Sequence, residues 1–232
     1  MKTFVLTKVF SIRLFVGMVI KMANTFKIQQ PKIPDGLTST SIQPMEEPYF
    51  EMSIISDCSI MSEEIHRIRF EQVIFKNVTF TDVSFKSIEL TDVIFDHCDL
   101  SNTDFREGSI HRVEFKDSKI LGLNLSDASL GNVLFQNCNA NLISFGYSKL
   151  KQVRFDSCLL RSADYYESNF NKVAFKECDL NEANFEQTPL KGIDLSTCTF
   201  ERINVSIKDI AGCEVTEDQA LGFARLLGLI IK

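Results

Sequence analysis

The 232-residue sequence contains no tryptophan, only three histidines and no long hydrophobic run. Near the N-terminus, Lys8 and Arg13 interrupt an apolar segment, and the uncharged run after Arg13 is seven residues long, too short to cross a bilayer. His66, His97 and His111 have no metal-ligand spacing, and the ten glycines are scattered and form no phosphate-binding loop. We therefore predict a protein that is not an enzyme, holds no metal or cofactor and does not span a membrane.

Basic residues are scarce outside the N-terminal segment. The chain has 25 lysines and arginines against 31 aspartates and glutamates. Residues 1–34 carry six of the bases and none of the acids, so the remaining residues have a net charge of −12. This acidic body excludes a broad basic surface for nucleic acid, and we expect no direct binding to DNA or RNA.

Phenylalanine is abundant where tryptophan is absent, with 20 residues in the chain. Every residue whose number is a multiple of five, from Phe50 to Val215, is apolar, which gives 34 consecutive matches. A period of five fits neither the 3.6-residue repeat of a helix nor the two-residue repeat of a flat strand. The pattern indicates an internal repeat with one large inward side chain in each unit.

A second inward position lies two residues before each large one, and it is mostly small or β-branched. All seven cysteines occupy it, and we interpret them as small core fillers. Stacked cysteines with parallel side chains would need distortion to form a disulfide, so we predict free thiols and a reducing, cytoplasmic setting. The cysteines are Cys58, Cys98, Cys138, Cys158, Cys178, Cys198 and Cys213.

This five-residue unit resembles the pentapeptide-repeat family, most clearly at residues 163–165 (Ala-Asp-Tyr), 178–180 (Cys-Asp-Leu) and 183–185 (Ala-Asn-Phe). The resemblance covers residues 48–215. It implies an all-β solenoid: a right-handed quadrilateral parallel β-helix with one pentapeptide on each side and, here, about eight coils. The sequence supports a 20-residue turn independently, because identical residues recur at that interval, as in Phe75, Phe95, Phe115, Phe135, Phe155 and Phe175.

Residues 216–232 are predicted to form a C-terminal capping α-helix with an apolar tail. Thr216 and Gln219 have the spacing of a capping box, and the apolar stripe that follows is wide for a cap. The segment is similar to the C-terminal module of quinolone-resistance pentapeptide-repeat proteins, which implies a head-to-head homodimer; an intramolecular lid is the alternative. The predicted dimer residues are Leu221, Phe223, Ala224, Leu227, Leu229 and Ile231.

Residues 1–47 are predicted to be an N-terminal extension and leader. Translation can start at Met1 or Met22, and in the second case residues 1–21 have no folded role. Membrane association through an amphipathic segment is the alternative. Four prolines between residues 31 and 48 indicate an extended leader that reaches the first coil.

The resemblance implies a non-enzymatic antibiotic-resistance or self-immunity protein. Such a protein acts as an acidic rod that mimics DNA and binds a type II topoisomerase, either DNA gyrase or topoisomerase IV. The alternative is an interaction scaffold or resistance factor with a different partner. The array has no insertion between Phe50 and Val215, whereas several quinolone-protection proteins carry loops there, so inhibition without protection stays open. The candidate acidic surface residues are Asp99, Asp104, Asp164, Asp179 and Asp194.

Overall fold

The computed structural model describes residues 26–41 and 48–224, and its main feature is one eight-stranded parallel sheet with the strands in chain order. One helix, α1 (Glu217–Ala224), follows the sheet. The strands are β1 (Thr38–Ser39), β2 (Tyr49–Met61), β3 (Arg69–Thr81), β4 (Glu89–Asp96), β5 (Ser109–Lys116), β6 (Ser129–Gln136), β7 (Lys149–Asp156) and β8 (Asn169–Lys176).

From β2 to β8, each strand pairs with the next at an offset of 20 residues, so the chain is a parallel solenoid. Val93 pairs with Val113, and Phe95 pairs with Phe115. The predicted 20-residue turn is therefore confirmed. Each coil has four sides, which we name after the large inward residues of one coil: face A contains Leu90, face B Phe95, face C Leu100 and face D Phe105.

Stacked phenylalanines form the centre of the core behind face B. Phe115 and Phe135 lie with ring centroids 4.8 Å apart and planes within 4° of parallel, and Phe135 stacks on Phe155 at the same 4.8 Å. This distance matches the spacing of neighbouring strands, so the column of rings stacks without a change in the backbone repeat. Both predicted inward positions are buried through the middle of the array.

The corner between two faces has a backbone conformation that is unusual for side-chain-bearing residues. The second residue after each large inward residue has a positive φ, for example 57° at Asn102 and 60° at Leu142. This left-handed conformation recurs every five residues from Met52 to Gly192. Apart from glycine, only Asn and Asp adopt it with any frequency. The regular array therefore imposes the corner even on Leu142.

Faces A and B form extended strands, whereas faces C and D mostly form turns joined by single bridges. On faces C and D, side-chain oxygens accept a hydrogen bond from the backbone N–H two residues later: Asp99 from Ser101 at 3.0 Å and Asn124 from Ser126 at 3.1 Å. These Asx turns replace strand geometry. β2 and β3 extend onto face C, where Ser59 and Thr79 occupy the position that Asp99 takes one coil later.

The strands end after β8 because the next coil cannot continue them. Pro189 stands where the partner of Asn169 would be, and proline has no backbone N–H to donate. On face B, Asp194 forms an Asx turn with Ser196 N–H at 2.8 Å. Single bridges continue the coil to Asp194 and Glu214. The strands therefore account for about six turns, fewer than the eight coils expected from the repeat count.

The leader does more than connect to the first coil, because part of it packs along the solenoid. Residues 26–41 run along the corner between faces A and B, and we call this segment the strap. Gln29 N–H donates to Asn132 Oδ1 at 3.0 Å, and Lys32 N–H donates to Asp92 Oδ1 at 2.9 Å. Gln152 Nε2 donates to the carbonyl of Lys27 at 3.1 Å. The strap thus crosses several coils, and the predicted start at Met1 or Met22 lies outside the described residues.

The strap also covers outward positions of the repeat on face B. Leu134 and Glu114, both outward on face B, are 8% and 3% exposed, and Ile28 of the strap is 8% exposed. Ile74 and Ile94 occupy the same outward column of face B. Outward positions of face B are therefore not all in contact with solvent, because some of their side chains pack beneath a covering segment.

All seven cysteines are free thiols. The Sγ of Cys138 lies 3.4 Å from the carbonyl oxygen of Phe115, and burial raises the pKa of Cys98 to about 11. Five thiols are buried, Cys213 is half-buried and Cys58 is exposed. The interpretation as a core filler is therefore wrong for Cys58, which lies in β2, in the first coil and near the open end of the array.

Candidate protein-binding surfaces

Two of the predicted surface acids are tied into ion pairs on the turn faces. Asp99 Oδ2 lies 3.1 Å from Lys119 Nζ, and Asp104 accepts three hydrogen bonds from the Arg106 guanidinium, the shortest at 2.7 Å. Burial raises the pKa of each carboxyl, but the hydrogen bonds and the adjacent cation lower it by a larger amount. Both pKa values therefore lie below the ordinary range. These two acids therefore contribute less free negative charge than predicted.

The other three predicted acids differ from one another. Asp179 Oδ2 lies 3.1 Å from Arg161 Nη1, which again neutralises its charge. Asp194 is half-buried on face B and caps the N–H of Ser196. Asp164 has no cationic partner among residues 26–41 and 48–224; it accepts hydrogen bonds from Tyr166 N–H and Asn184 Nδ2. The structure therefore does not bring the five residues together as one acidic surface.

An acidic region does exist on face D, and only Asp164 of the predicted set belongs to it. Asp127, Glu167 and Glu186 are exposed on the same face, and none of them forms an ion pair with a lysine or arginine in the described part of the chain. No outward position of face D from residue 124 to residue 187 is a lysine or arginine. We call Asp127, Asp164, Glu167 and Glu186 the acidic face.

The acidic face also contains two tyrosines, Tyr147 and Tyr166, whose rings meet edge to face at 5.6 Å. Tyr147 is 55% exposed. Sequence reasoning missed the face because it selected acids by their position within one pentapeptide, whereas these acids occupy different positions of the repeat. Sorting outward residues by face, at the 20-residue interval, would have found the run without bases.

Helix α1 closes the C-terminal end of the solenoid. Gln219 Oε1 accepts from Thr216 N–H at 2.9 Å and Thr216 Oγ1 accepts from Gln219 N–H at 3.2 Å, so the predicted capping box is confirmed. Gln219 Nε2 also donates to the carbonyls of Leu195 and Cys198. The second bond satisfies the Cys198 carbonyl, which has no further coil to pair with, whereas the Leu195 carbonyl also accepts from Cys198 N–H.

Of the predicted dimer residues, Leu221 is 54% exposed. Phe223 is half-buried and packs on Phe200 with ring centroids 5.7 Å apart. Its ring therefore contacts the solenoid of its own chain, as expected of an intramolecular lid. Ala224 is half-buried. Leu227, Leu229 and Ile231 lie outside the described residues. The described helix is thus a lid with one prominent exposed apolar side chain.

Face C carries a separate apolar area at mid-array. Leu142 is 61% exposed and Leu159 is 46% exposed, although both lie within the regular part of the solenoid. Leu121 lies on the same face, one coil earlier, and is half-buried. Exposed leucines on one face of a rigid surface are typical of protein contact sites.

One set of metal-ligand types comes together at the corner after face B, although the sequence spacing gave no metal site. The side chains of Asp96, His97 and Asp117 approach within 4.8 Å of one another. Asp96 Oδ1 and His97 Nδ1 hydrogen-bond at 2.6 Å, and Asn137 Nδ2 donates to Asp117 at 3.0 Å. Neighbouring side chains thus already satisfy these polar groups.

Within the described ranges, no helix is long and apolar enough to cross a membrane.

Comparisons with known proteins agree with the solenoid. The family model for the pentapeptide repeat region matches residues 88–156, 109–185 and 148–222. The uncharacterized protein YisX of Bacillus subtilis (strain 168) is 42% identical over 210 residues, which cover 90% of this chain and 99% of YisX.

Two solved structures are more distant. A trypsin-treated variant of QnrB1, a plasmid-mediated fluoroquinolone resistance protein, is 19% identical with a TM-score of 0.46, and the match covers 78% of this chain and 100% of that one. HetL, a pentapeptide repeat protein involved in heterocyst differentiation regulation in Nostoc sp. Strain PCC 7120, is 13% identical with a TM-score of 0.25, over 72% of this chain and 87% of HetL. The family-model matches and the identity with YisX show that this chain belongs to the pentapeptide-repeat family.

Proposed function

We propose that the protein is a non-enzymatic, cytoplasmic resistance or self-immunity protein that binds a type II topoisomerase, such as DNA gyrase or topoisomerase IV, through its acidic face. The observation that carries the proposal is the group Asp127, Asp164, Glu167 and Glu186, none of which forms an ion pair with a lysine or arginine in the described part of the chain. A rigid surface with this charge attracts the basic groove in which such an enzyme holds DNA. The buried free thiols support a reducing compartment.

The charge density of the acidic face sets a limit on its mimicry. Its four acids extend over three coil spacings, or roughly 14 Å, which gives about one charge per 4 Å. Duplex DNA carries one charge per about 1.7 Å of its axis. The acidic face therefore competes with a short stretch of DNA at a local basic site, and we expect this competition to weaken as salt rises.

Purified gyrase provides the test. Supercoiling is measured while the protein is titrated, with and without a quinolone, for the wild type and for the triple variant D127N/E167Q/E186Q. The matched control E51Q/D82N/E201Q removes the same charge from three exposed acids outside the acidic face. We expect the acidic-face variant to lose roughly tenfold in apparent potency and the control to change little.

Equal potency of the two triple variants would overturn the role of the acidic face. An absence of both inhibition and rescue by the wild-type protein at micromolar concentration would remove the topoisomerase as its partner. Rescue from the quinolone distinguishes protection from simple inhibition, which the unbroken coil leaves open. Asp164 is kept in the triple variant because its hydrogen bonds hold a turn.

We also propose that the C-terminal module makes the protein a homodimer. Leu221 supports this, since a capping helix alone does not need an exposed leucine at its centre. Sedimentation of the full chain is expected to give a dimer at micromolar concentration, and Leu221→Asp is expected to give a monomer. Met61→Asp, a control at the opposite end with 63% exposure, should leave the mass unchanged; a monomeric wild type would refute the dimer.

A scaffold with a different partner is the second candidate, and the exposed leucines on face C favour it. Leu142 and Leu159 are not needed by a surface that imitates DNA, but they suit an apolar contact with another protein. Leu142→Ser combined with Leu159→Ser should weaken capture of that partner while leaving gyrase inhibition intact. If the double variant loses gyrase inhibition instead, face C belongs to the topoisomerase contact.

A further inference from the structure

A cluster of lysines on face A departs from the acidic character of the solenoid. Lys149, Lys151, Lys172 and Lys191 are exposed on this face in the coils of β7, β8 and the turn that follows. No carboxylate ion pair involves any of them among the residues that the structure describes, whereas Arg69, Arg112 and Lys119 all pair with acids one coil away. The four lysines therefore leave a local positive charge without a partner.

Two of these lysines border a cavity at the end of the strap. The cavity has a volume of about 410 Å³, and Lys172 and Lys191 line it. Its apolar lining comes from Phe26 of the strap and from Phe170, Val173 and Ile193 of the solenoid. Phe170 is half-buried even though it occupies a large inward position of the array.

The cavity exists because the strand ladder stops beside it. Pro189 and Gly192 both line it, and Pro189 prevents a ninth strand on face A. Gly192 has a φ of +79°, and a Cβ added there would have no atom within 4 Å. A second cavity of about 490 Å³ shares Phe26, Val173 and Gly192 with the first, and its charged lining has both signs: Arg154 and Lys176 with Asp156 and Asp194. The two form one depression around Phe26.

We propose that this depression docks an acidic segment of a partner protein through one aromatic or aliphatic side chain. The apolar side chain enters the cavity against Phe26, Phe170 and Val173, and carboxylates beside it in the partner sequence pair with Lys172 and Lys191. An apolar pocket with a few charged groups at its rim is the usual form of a peptide-binding site. This surface lies on a different face from the acidic face and has the opposite charge, so the proposal does not rest on the proposed function.

Charge complementarity selects this occupant. Residues 1–25 precede Phe26 directly, but they carry four bases and no acid, so lysines at the rim disfavour them. An extended polyanion such as duplex DNA would meet the field of a body with net charge −12. A short acidic segment contacts only the local lysines and avoids most of that repulsion, because screening limits the range to about 10 Å at ordinary salt.

Fluorescence anisotropy with the full-length protein tests the docking site. The probe is a labelled seven-residue peptide of glutamates with one central phenylalanine, and two control peptides replace the phenylalanine by serine or the glutamates by glutamines. We expect binding of the first peptide that weakens with salt, and weaker binding of both controls. The variant K172Q/K191Q should lose roughly tenfold in affinity. The control K76Q/K208Q removes two exposed lysines that form no ion pair among residues 26–41 and 48–224, and it should lose less than about twofold.

Phe26→Ala keeps the lysines and removes one apolar wall, so it should weaken the phenylalanine peptide towards the affinity of the serine control. Circular dichroism on each variant confirms that the solenoid is intact. Equal affinity of K172Q/K191Q and K76Q/K208Q would overturn the proposal, as would failure of the phenylalanine peptide to bind at millimolar concentration. Lysine-dependent binding to a DNA duplex or to phosphatidylglycerol vesicles that exceeds binding to the peptide would replace the proposed partner class.

Discussion

The two strand faces and the two turn faces of the solenoid have the same repeat but are held together differently. On faces A and B the backbone itself forms a continuous ladder, and the large residue of face B is phenylalanine in six successive coils, β3 to β8. On faces C and D single bridges alternate with Asx turns. A period of five therefore fixes which side chains point inward, while Asp or Asn just before the large residue supports the turn on faces C and D.

The largest effect is expected from breaking the aromatic column of face B. Phe135→Ala removes a fully buried ring that stacks at 4.8 Å on both Phe115 and Phe155. We expect the free energy of unfolding to fall by about 3–5 kcal/mol, as measured by chemical denaturation. Leu142→Ala, on an exposed corner next to a turn face, should change it by less than about 0.5 kcal/mol. A loss below about 1 kcal/mol for Phe135→Ala would mean that the column is not what holds the strand faces.

The strap is a second difference, because it follows the corner between the two strand faces. Asp92, which is 4% exposed, accepts from Lys32 N–H and from two nitrogens of the Arg112 guanidinium. Asp92→Ala should cost about 1–3 kcal/mol, since it leaves a half-buried guanidinium without its partner. It should also speed hydrogen exchange at the Lys32 amide.

Asp82→Ala is the matched control for the strap. Asp82 has a φ of 52° and Asp92 a φ of 57°, so both substitutions place alanine in the same left-handed conformation. Asp82 is exposed and forms no ion pair within the described residues, so its loss should change stability by less than about 0.5 kcal/mol beyond that shared strain. Equal costs at the two positions would show that the strap bonds add nothing.

The Asx turns provide a second comparison of a turn face with a strand face, with a smaller expected change in the free energy of unfolding. Asn124 on face D accepts from Ser126 N–H, while Ser129 stands at the equivalent position on face A, in β6. Asn124→Ala leaves a backbone N–H without its acceptor and should cost about 1 kcal/mol. Ser129→Ala should have almost no effect, as a native alanine, Ala174, already occupies the equivalent place on face B. Denaturation midpoints of the two variants provide the measurement, and the reverse order would contradict the role assigned to the turn.

Much of this architecture was predictable from the sequence, but the parts that break the period were not. The register placed Phe115 over Phe135 and the capping box placed Gln219 opposite Thr216, because both depend on fixed sequence intervals. The strap was missed since it joins Gln29 to Asn132, a contact without periodicity. The acidic surface was only partly predicted, because the partner of Asp99 is Lys119, one coil away, and no single pentapeptide shows that ion pair.

Acidification is expected to give the smallest change in stability, and it tests the ion pairs on the turn faces. The pKa values of Asp99 and Asp104 are lowered by Ser101, Lys119 and Arg106, which outweigh the rise caused by burial. When the pKa of a carboxyl is lower in the folded state than in the unfolded state, the unfolded state binds the proton more readily. Its stabilisation is therefore complete above the ordinary aspartate value of about 4 and is lost as the pH falls through that value towards the folded pKa.

Replacing both acids by asparagine isolates this charge, because asparagine keeps the oxygen that caps the turn, as Asn124 does natively. D99N/D104N should lose less stability than the wild type between pH 5 and pH 3, by under about 1 kcal/mol for each carboxylate since both are partly exposed. D82N/D127N, which removes two exposed acids that form no ion pair in the described part of the chain, should lose stability in parallel with the wild type. If D99N/D104N instead loses as much as the wild type, the ion pairs on the turn faces contribute nothing measurable, and the Asx hydrogen bonds alone hold those faces.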